Sequence, residues 1–279
     1  HNGGYPGSID LHAATISTIG YKSLRVIMGI QNVPALKGKS FKSLSFNFLN
    51  NLFIDQYILG SNRSKSIYKN KTNLDNKKLI AINEGTNSNP VDLKSFNQNS
   101  IINIGIIGAY ERRKGHNILF KAAKVLINEF QVNNFKILCF GQSKYGYYKE
   151  IELKAETLGL KPYIEFNEYE KNMDKLYGLM DIIVSPSTSF ETMPLVLIDA
   201  MAYYRPVIGS KLQGIIDIID HGVNGYLFDI GDYKTLANYI NILIKDDKKR
   251  KTFGINGRKK YEKNFTAERM ANEYHNVFI

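Results

Sequence analysis

The sequence contains a single cysteine, Cys139, among 279 residues. One thiol cannot form an intramolecular disulfide, and its apolar neighbours (FKILCF) predict that it lies buried in a strand. Long apolar runs are missing as well: none approaches the roughly 18 residues that a membrane span needs, and no signal peptide is visible. A single buried thiol favours a reducing compartment, so we expect a cytoplasmic protein.

Motifs of several common enzyme classes are also absent. The segment GIIGAY is not a Gly-x-Gly-x-x-Gly fingerprint, which argues against a dehydrogenase, and neither a P-loop nor a Gly-x-Ser-x-Gly elbow occurs. With one Cys and five scattered His, the chain offers no zinc site. The second half contains no Asp-x-Asp, the common carboxylate pair for a metal–diphosphate complex. We therefore expect no metal and no bound cofactor.

Acidic residues are few relative to basic ones. The formal charge is +11, and residues 1–100 carry 12 Lys or Arg against 5 Asp or Glu. A basic half can contact an anionic membrane surface, nucleic acid or an acidic substrate. Composition bias explains the same excess equally well, because the whole sequence is rich in Lys, Asn and Ile. No aromatic–basic recognition motif accompanies the charge, so we do not expect a nucleic-acid partner.

The first third of the chain alternates apolar runs with segments of helical spacing. Residues 24–30 (LRVIMGI), 56–60 (QYILG) and 78–83 (KLIAIN) predict buried strands separated by helices, the pattern of a parallel sheet. The stretch that follows (EGTNSNPVDLKSFNQNS) is polar and rich in turn-forming residues, which is typical of an inter-domain linker. We therefore predict a first domain over residues 1–85 and a linker over residues 86–100.

A more regular series of strands and helices follows the linker. Apolar runs alternate with amphipathic segments, which predicts a doubly wound α/β domain over residues 101–262 and a final helix within residues 263–279. The strands of this domain are expected at residues 101–107, 135–140, 163–166, 181–184, 206–209 and within 222–228.

One acid lies in the most apolar helix of this domain. In the stretch VSPSTSFETMPLVLIDAMAYYRPVIGS, Asp199 is the only charged residue between Thr192 and Tyr204. An acid on a core helix must face a cleft or be paired. Pro194 suits the first turn of the helix, so Glu191 lies before its N-terminus, where backbone N–H groups and the helix dipole favour an anion. Such an arrangement suits a sugar, a diphosphate and a ribose.

A basic loop, ERRKG, follows the first strand of the same domain. In an open parallel sheet, ligands bind at the carboxyl ends of the strands near the switch point. Arg112, Arg113 and Lys114 therefore lie where charge-assisted hydrogen bonds can bind a diphosphate. A solvated basic loop without a ligand is the alternative explanation.

Together these segments resemble a known family. GAYERRKG, YGLMDIIVSPSTSFETMPLVLIDAMAYYRPVIGS and GIIDIIDHGVNGYLF have the order and spacing of the nucleotide-sugar-binding domain of family 4 (group 1) retaining glycosyltransferases. The resemblance extends from Gly108 to the C-terminus. It implies the GT-B architecture, in which two Rossmann-like domains face each other across a cleft. The family's N-terminal glycine-rich strand–loop is absent, so we expect an incomplete first domain that lacks several tens of residues.

The resemblance implies roles for individual residues. Glu191 matches the acid that contacts the donor sugar, and Asp199 matches the acid that binds the ribose hydroxyls, where the family has the longer Glu. Lys114 matches the phosphate-binding Lys. An Arg that the family often has in this loop is Ala here, so Arg112 or Arg113 is expected to supply the second positive charge. Further expected contacts are Thr192, Met193 and Leu195 on the donor side, and His1, Gly3 and Gly4 on the acceptor side.

The activity implied by the resemblance is hexosyl transfer with retention of configuration and without a metal. The expected partners are a nucleotide-sugar donor and a glycan or lipid-linked acceptor, with peripheral contact with an anionic membrane at its inner face. The final helix is expected to pack back toward the first domain. A nucleotide-sugar 2-epimerase of the same architecture and a non-catalytic nucleotide-sugar-binding module are the alternatives.

Overall fold

The computed structural model describes residues 25–30, 48, 50–88, 101–142, 146–189 and 191–279. These residues form two compact units. The first comprises the described residues up to Glu84 together with Met270–Ile279, and the second comprises those within Gly85–Arg269. Most of the predicted linker, residues 89–100, lies outside the described residues, and the predicted domain boundaries stay predictions.

The first unit contains a three-stranded parallel sheet in the order β1–β2–β3, with strands Ile27–Ile30, Gln56–Leu59 and Leu79–Ala81. Helix α1 (Asn62–Lys71) connects β2 to β3, and its N-cap residue is Ser61, whose hydroxyl accepts a hydrogen bond from the Ser64 N–H. The apolar runs predicted as strands are therefore strands, and all their pairings are parallel, as the strand–helix–strand rhythm predicted.

The second unit is a six-stranded parallel sheet with helices on both faces. In the described residues its strands are β4 (Ile102–Ile107), β5 (Phe135–Phe140), β6 (Ile164–Asn167), β7 (Ile182–Ser185), β8 (Val207–Ser210) and β9 (Gly225–Phe228). Its helices are α2 (His116–Asn128), α3 (Tyr147–Thr157), α4 (Met173–Gly178), α5 (Leu195–Ala202), α6 (Gln213–Ile218), α7 (Tyr233–Lys245) and α8 (Asp247–Asn264).

The strand order of this sheet is β6–β5–β4–β7–β8–β9. The chain builds outward from β4 to β6 and then returns to add β7 on the other side of β4. The topological switch point therefore lies between β4 and β7, and in such sheets ligands bind there, beyond the carboxyl ends of the strands.

Buried apolar side chains cover both faces of the sheet, which explains the near-continuous apolar strands. One face packs against α2, α3 and α7 and contains the buried Cys139, as the sequence predicted. The other face packs against α5 and α6, with Tyr261 and Phe265 in the same cluster. Because α5 lies on this second face, its apolar sequence is explained by burial.

The last helix, α9 (Ala267–Phe278), begins in the second unit and ends in the first. Within the first unit, Val277 belongs to one buried cluster with Ile58 and Ile82. Among the described helices, none is both long enough and apolar enough to cross a bilayer.

Candidate donor-binding site at the switch point

Two loops meet at the carboxyl ends of β4 and β7. The first loop, residues 108–115, leads from β4 into α2, and the second, residues 186–194, leads from β7 into α5. Their meeting follows from the sheet, because β4 and β7 are neighbouring parallel strands whose carboxyl ends lie at the same edge. Residue 190 of the second loop lies outside the described residues.

Backbone contacts hold the two loops together. Thr188 N–H donates to the Arg113 carbonyl at 2.8 Å. Gly115 has a φ of +75°, and a Cβ at this position would lie 1.9 Å from the carbonyl oxygen of Pro186. Only glycine fits such a left-handed position at so close an approach. Gly115 thereby ends the 3-10 turn of Arg112–Lys114 and starts α2.

Glu191 and Lys114 form an ion pair where these loops meet. Lys114 Nζ lies 2.7 Å from Glu191 Oε1, and the Glu191 side chain is only 8% exposed. The hydroxyl of Ser187 donates to the same oxygen at 2.7 Å. Two residues that the sequence places 77 positions apart thus form one charged pair at the switch point. A hydrogen bond between charged groups in a site of low exposure is stronger than its equivalent in water.

Ser187 was not singled out from the sequence. Its side chain is 1% exposed, and its carbonyl accepts a 2.6 Å hydrogen bond from the Ser210 hydroxyl at the end of β8. Ser187 therefore links Glu191 to a third strand of the sheet. The one available signal was the hydroxyl-rich segment SPSTS, which ends two residues before Glu191. Such segments are common in loops, so the signal was not specific.

The backbone before α5 is fixed by α6. Gly214 N–H donates to the Glu191 carbonyl at 2.9 Å, and a Cβ at Gly214 would lie 1.9 Å from the Thr192 carbonyl oxygen. Helix α5 begins at Leu195, with Pro194 as its N-cap residue. The Met193 side chain lies in the core cluster and is 7% exposed, whereas Leu195 is 46% exposed.

The two arginines of the basic loop point to different partners. Arg112 is largely exposed, pairs with Glu150 at 2.8 Å and lies 5.7 Å from the ring centroid of Tyr147. Arg113 Nη1 lies 3.5 Å from Glu191 Oε1, while its Nε pairs with Glu111 at 2.8 Å. Of the two candidates for the second positive charge, Arg113 is therefore the one beside Glu191.

Asp199 is paired, but with a residue that the sequence analysis did not connect to it. Its Oδ1 accepts a hydrogen bond from the Ser88 hydroxyl at 2.7 Å. Burial raises the pKa of Asp199, and hydrogen bonds from the hydroxyls of Ser88 and Thr86 act in the opposite direction. We expected an acid on this core helix to face a cleft or to be paired, and Asp199 is paired, through its hydrogen bond with Ser88.

The expected acceptor-side residues His1, Gly3 and Gly4 lie outside the described residues, so their roles stay predictions. Within the described part of the chain, no group of three His, Cys, Asp or Glu side chains is placed to hold a metal ion.

Comparison with known proteins identifies the family. The family model described as "Glycosyl transferases group 1" matches residues 94–260, more than half of the chain. The chain belongs to this family. The matched range contains both loops of the switch-point site.

The relatives match between 44% and 79% of this chain. The capsular polysaccharide biosynthesis glycosyltransferase CapM of Staphylococcus aureus is 29% identical over 221 residues, which are 79% of this chain and 54% of CapM. Curated relatives are thus matched over about half of their own length or less.

Among solved structures, Anabaena HepE in complex with UDP has a TM-score of 0.84 at 22% identity, covering 96% of this chain and 75% of HepE. HepE in complex with UDP-glucose gives a TM-score of 0.80 at 21% identity, with the same coverage. The α/β fold with parallel sheets is therefore that of the GT-B glycosyltransferases, as the resemblance implied.

His116, the first residue of α2, directly follows the basic loop (residues 111–115) and is fully buried. Burial, together with the positive charge of Lys114, lowers its pKa from 6.5 to about 4. Its burial excludes direct contact with bulk solvent.

This burial predicts an acid-sensitive fold. Between pH 4 and 6.5 His116 binds a proton in the unfolded chain but not in the folded chain. The contribution of the neutral, buried His116 to the free energy of unfolding is therefore fully present above pH 6.5 and is lost as the pH falls toward 4. The loss is up to about 3 kcal/mol. His116→Leu should flatten the difference between urea unfolding at pH 5 and pH 7.5. An unchanged difference in this variant would assign the acid sensitivity to other groups.

Proposed function

We propose that this chain binds the donor in an enzyme that transfers a hexosyl group from a nucleoside-diphosphate sugar to a hydroxyl acceptor. The observation that carries the proposal is the pair of partly buried Lys114 and buried Glu191 at the switch point of the sheet, where such folds bind ligands. Membership of the group 1 family and the complexes of HepE with UDP and UDP-glucose support the choice of donor class.

The charges suit a diphosphate leaving group. Lys114 and Arg113 lie within 2.7 and 3.5 Å of the same carboxylate oxygen, so two cations converge on one point. A diphosphate at this point would share both cations with Glu191, and the N-terminus of α5 adds partial positive charge. Fixed positive groups that stabilise the charge developing on a leaving diphosphate lower the barrier to its departure.

Glu191 is then the residue that contacts the sugar. Its Oε1 is occupied by Lys114 and Ser187, which fixes the carboxylate group in orientation. A carboxylate accepts hydrogen bonds from sugar hydroxyls, and a fixed one positions the anomeric carbon without having to attack it. Thr192, Met193 and Leu195 complete the donor side through the backbone at the start of α5.

The proposed reaction retains configuration and needs no metal. The bond between the anomeric carbon and the diphosphate oxygen breaks, and a bond forms on the same face to the acceptor oxygen. The acceptor proton passes to the departing phosphate oxygen, so no protein nucleophile is needed. In this scheme Lys114, Arg113 and the helix end supply the positive charge that a divalent ion supplies in other transferases.

The acceptor is proposed to be a glycan or a lipid-linked saccharide. Similarity to CapM, which is named for capsular polysaccharide biosynthesis, supports this class. The net charge of +11 and the basic first third of the sequence support peripheral contact with an anionic membrane at the cytoplasmic side.

A donor screen tests the proposal. The protein is incubated with UDP-, ADP- and GDP-linked hexoses, with and without glycan or lipid-linked acceptors, and released nucleoside diphosphate is measured together with the sugar products. We expect release that depends on an acceptor and on one donor class. An epimerised sugar formed without acceptor would instead identify a 2-epimerase, and binding without turnover would identify a binding module.

A further inference from the structure

Asp199 is surrounded by hydroxyl groups within the second unit. The groups that stabilise its ionised form are the hydroxyls of Ser88, at 2.7 Å, and Thr86. A carboxylate that is half-buried and stabilised by neutral donors depends strongly on each of them, because burial itself favours its protonated form.

Tyr177 and Tyr203 stack on each other with ring centroids 4.9 Å apart. Burial raises the pKa of both hydroxyls, and the negative charge of Asp199 adds to the shift. The Tyr177 hydroxyl donates to the Val196 carbonyl at 3.1 Å, and the Tyr203 hydroxyl donates to Asp174 at 2.8 Å. Both hydroxyls therefore donate to acceptors other than Asp199. Ser88 is the side chain with the short, direct bond to Asp199.

The segment that carries Ser88 is itself fixed in place. The Tyr261 hydroxyl donates to the Thr86 carbonyl at 2.7 Å and accepts from the Ser88 N–H at 3.1 Å. Thr86 N–H donates to the Phe265 carbonyl at 2.9 Å, and Ala267 N–H donates to the Thr86 carbonyl at 3.0 Å. These four bonds fix the backbone at Thr86 and Ser88, and the Ser88 hydroxyl also lies 3.4 Å from the Thr86 hydroxyl. The Ser88 hydroxyl therefore approaches Asp199 from a fixed backbone.

We infer that Ser88 is a positioning residue that acts through Asp199 to hold the ribose of the donor. The inference rests on the proposed function and on the role of ribose-binding acid that the family resemblance implies for Asp199. A carboxylate that accepts a hydrogen bond from a ribose hydroxyl must be held in the right rotamer, and the Ser88 bond to Oδ1 leaves Oδ2 of Asp199 for that contact. Asp199 is one methylene shorter than the Glu expected at this position, so its reach depends on the direction that Ser88 imposes.

The test is calorimetric binding to the 279-residue chain of UDP, ADP and GDP, each compared with its 2′,3′-dideoxy analogue. Ser88→Ala should weaken binding of the preferred nucleotide about tenfold, the effect of losing one hydrogen bond to a charged group. The dideoxy analogue, which lacks the ribose hydroxyls, should bind Ser88→Ala and the wild type equally well.

Two further variants locate the effect. Asp199→Asn should produce the same loss, and Ser88→Ala in that background should add less than twofold, because the two residues act in series. Thr252→Ala is the matched control: its hydroxyl donates to a carbonyl at 2.9 Å on an exposed part of α8 and should change neither affinity. Thermal melting confirms that each variant is folded.

The outcomes separate this inference from the proposed function. Equal binding of the nucleotide by Ser88→Ala and the wild type overturns the role of Ser88 and leaves the proposed function standing. An equal loss for the nucleotide and its dideoxy analogue also overturns it, because the effect would not pass through the ribose. A wild type that binds none of the three nucleotides overturns both.

Discussion

Glu191→Gln and Lys114→Met should each lower the rate of sugar transfer by at least about a hundredfold. Lys114 is the cation closest to the proposed diphosphate position, and loss of one fixed donor to developing negative charge costs on the order of 10² to 10³ in rate. Glu191→Gln keeps the shape of the side chain but removes the charge that is 2.7 Å from Lys114. The measurement is acceptor-dependent release of nucleoside diphosphate in the full protein at saturating donor.

Stability distinguishes a catalytic role from a structural one. Removal of one partner of a poorly exposed pair leaves the other charge uncompensated, at a cost of about 3 kcal/mol at most, whereas the double variant loses both charges together. We expect the double variant to be nearer the wild type in stability than either single variant, yet inactive. Lys260→Met is the matched control, since Lys260 pairs with Asp220 at 2.8 Å away from the switch point. Near-normal transfer in both Glu191→Gln and Lys114→Met would refute the site.

Gly115→Ala should abolish most transfer and lower the free energy of unfolding by about 3 kcal/mol. Two effects combine in this substitution. The φ of +75° is unfavourable for alanine, and the new Cβ would lie 1.9 Å from the Pro186 carbonyl oxygen. Since this contact is to backbone, the loops after β4 and β7 must move apart, and Lys114 moves with the first of them. Urea unfolding and the transfer assay measure the two consequences.

Gly222→Ala isolates the contribution of the backbone angle. Gly222 has a φ of +80°, but no atom lies within 4 Å of the position that its Cβ would occupy. This variant should lose about 1 kcal/mol of stability and retain full transfer activity. If Gly115→Ala behaved like Gly222→Ala in both assays, the close approach of the two loops would not be needed for the site.

The strands and helices of this protein were largely predictable because each has its own local signal. Helix α9 lies within residues 263–279, where the final helix was expected, and β5 coincides with the predicted apolar run at residues 135–140. The short elements near the site were less well placed. Helix α5 begins after Pro194 and not at it, because the proline is its N-cap residue with extended backbone.

Side-chain partners could not be predicted because they depend on which strands are neighbours. The sequence singled out Glu191 and Lys114 separately, and only the β4–β7 pairing brings their side chains to 2.7 Å. The choice between Arg112 and Arg113 stayed open for the same reason, since Glu150 of α3 attracts the first and Glu111 and Glu191 attract the second. Ser88, 111 residues before Asp199, had no signal at all.

The sequence alone determined that an acid lies before an apolar helix and that three cations follow the first strand of the second sheet. Both are local patterns, in which residue type and spacing are sufficient. The tertiary structure decided what these charges contact. Glu191 neutralises Lys114, with Ser187 fixing the carboxylate, and Asp199 turns to Ser88 and not to a cation. These contacts depend on strand order and on backbone approach at Gly115 and Gly214, which arise only when distant segments pack against one sheet.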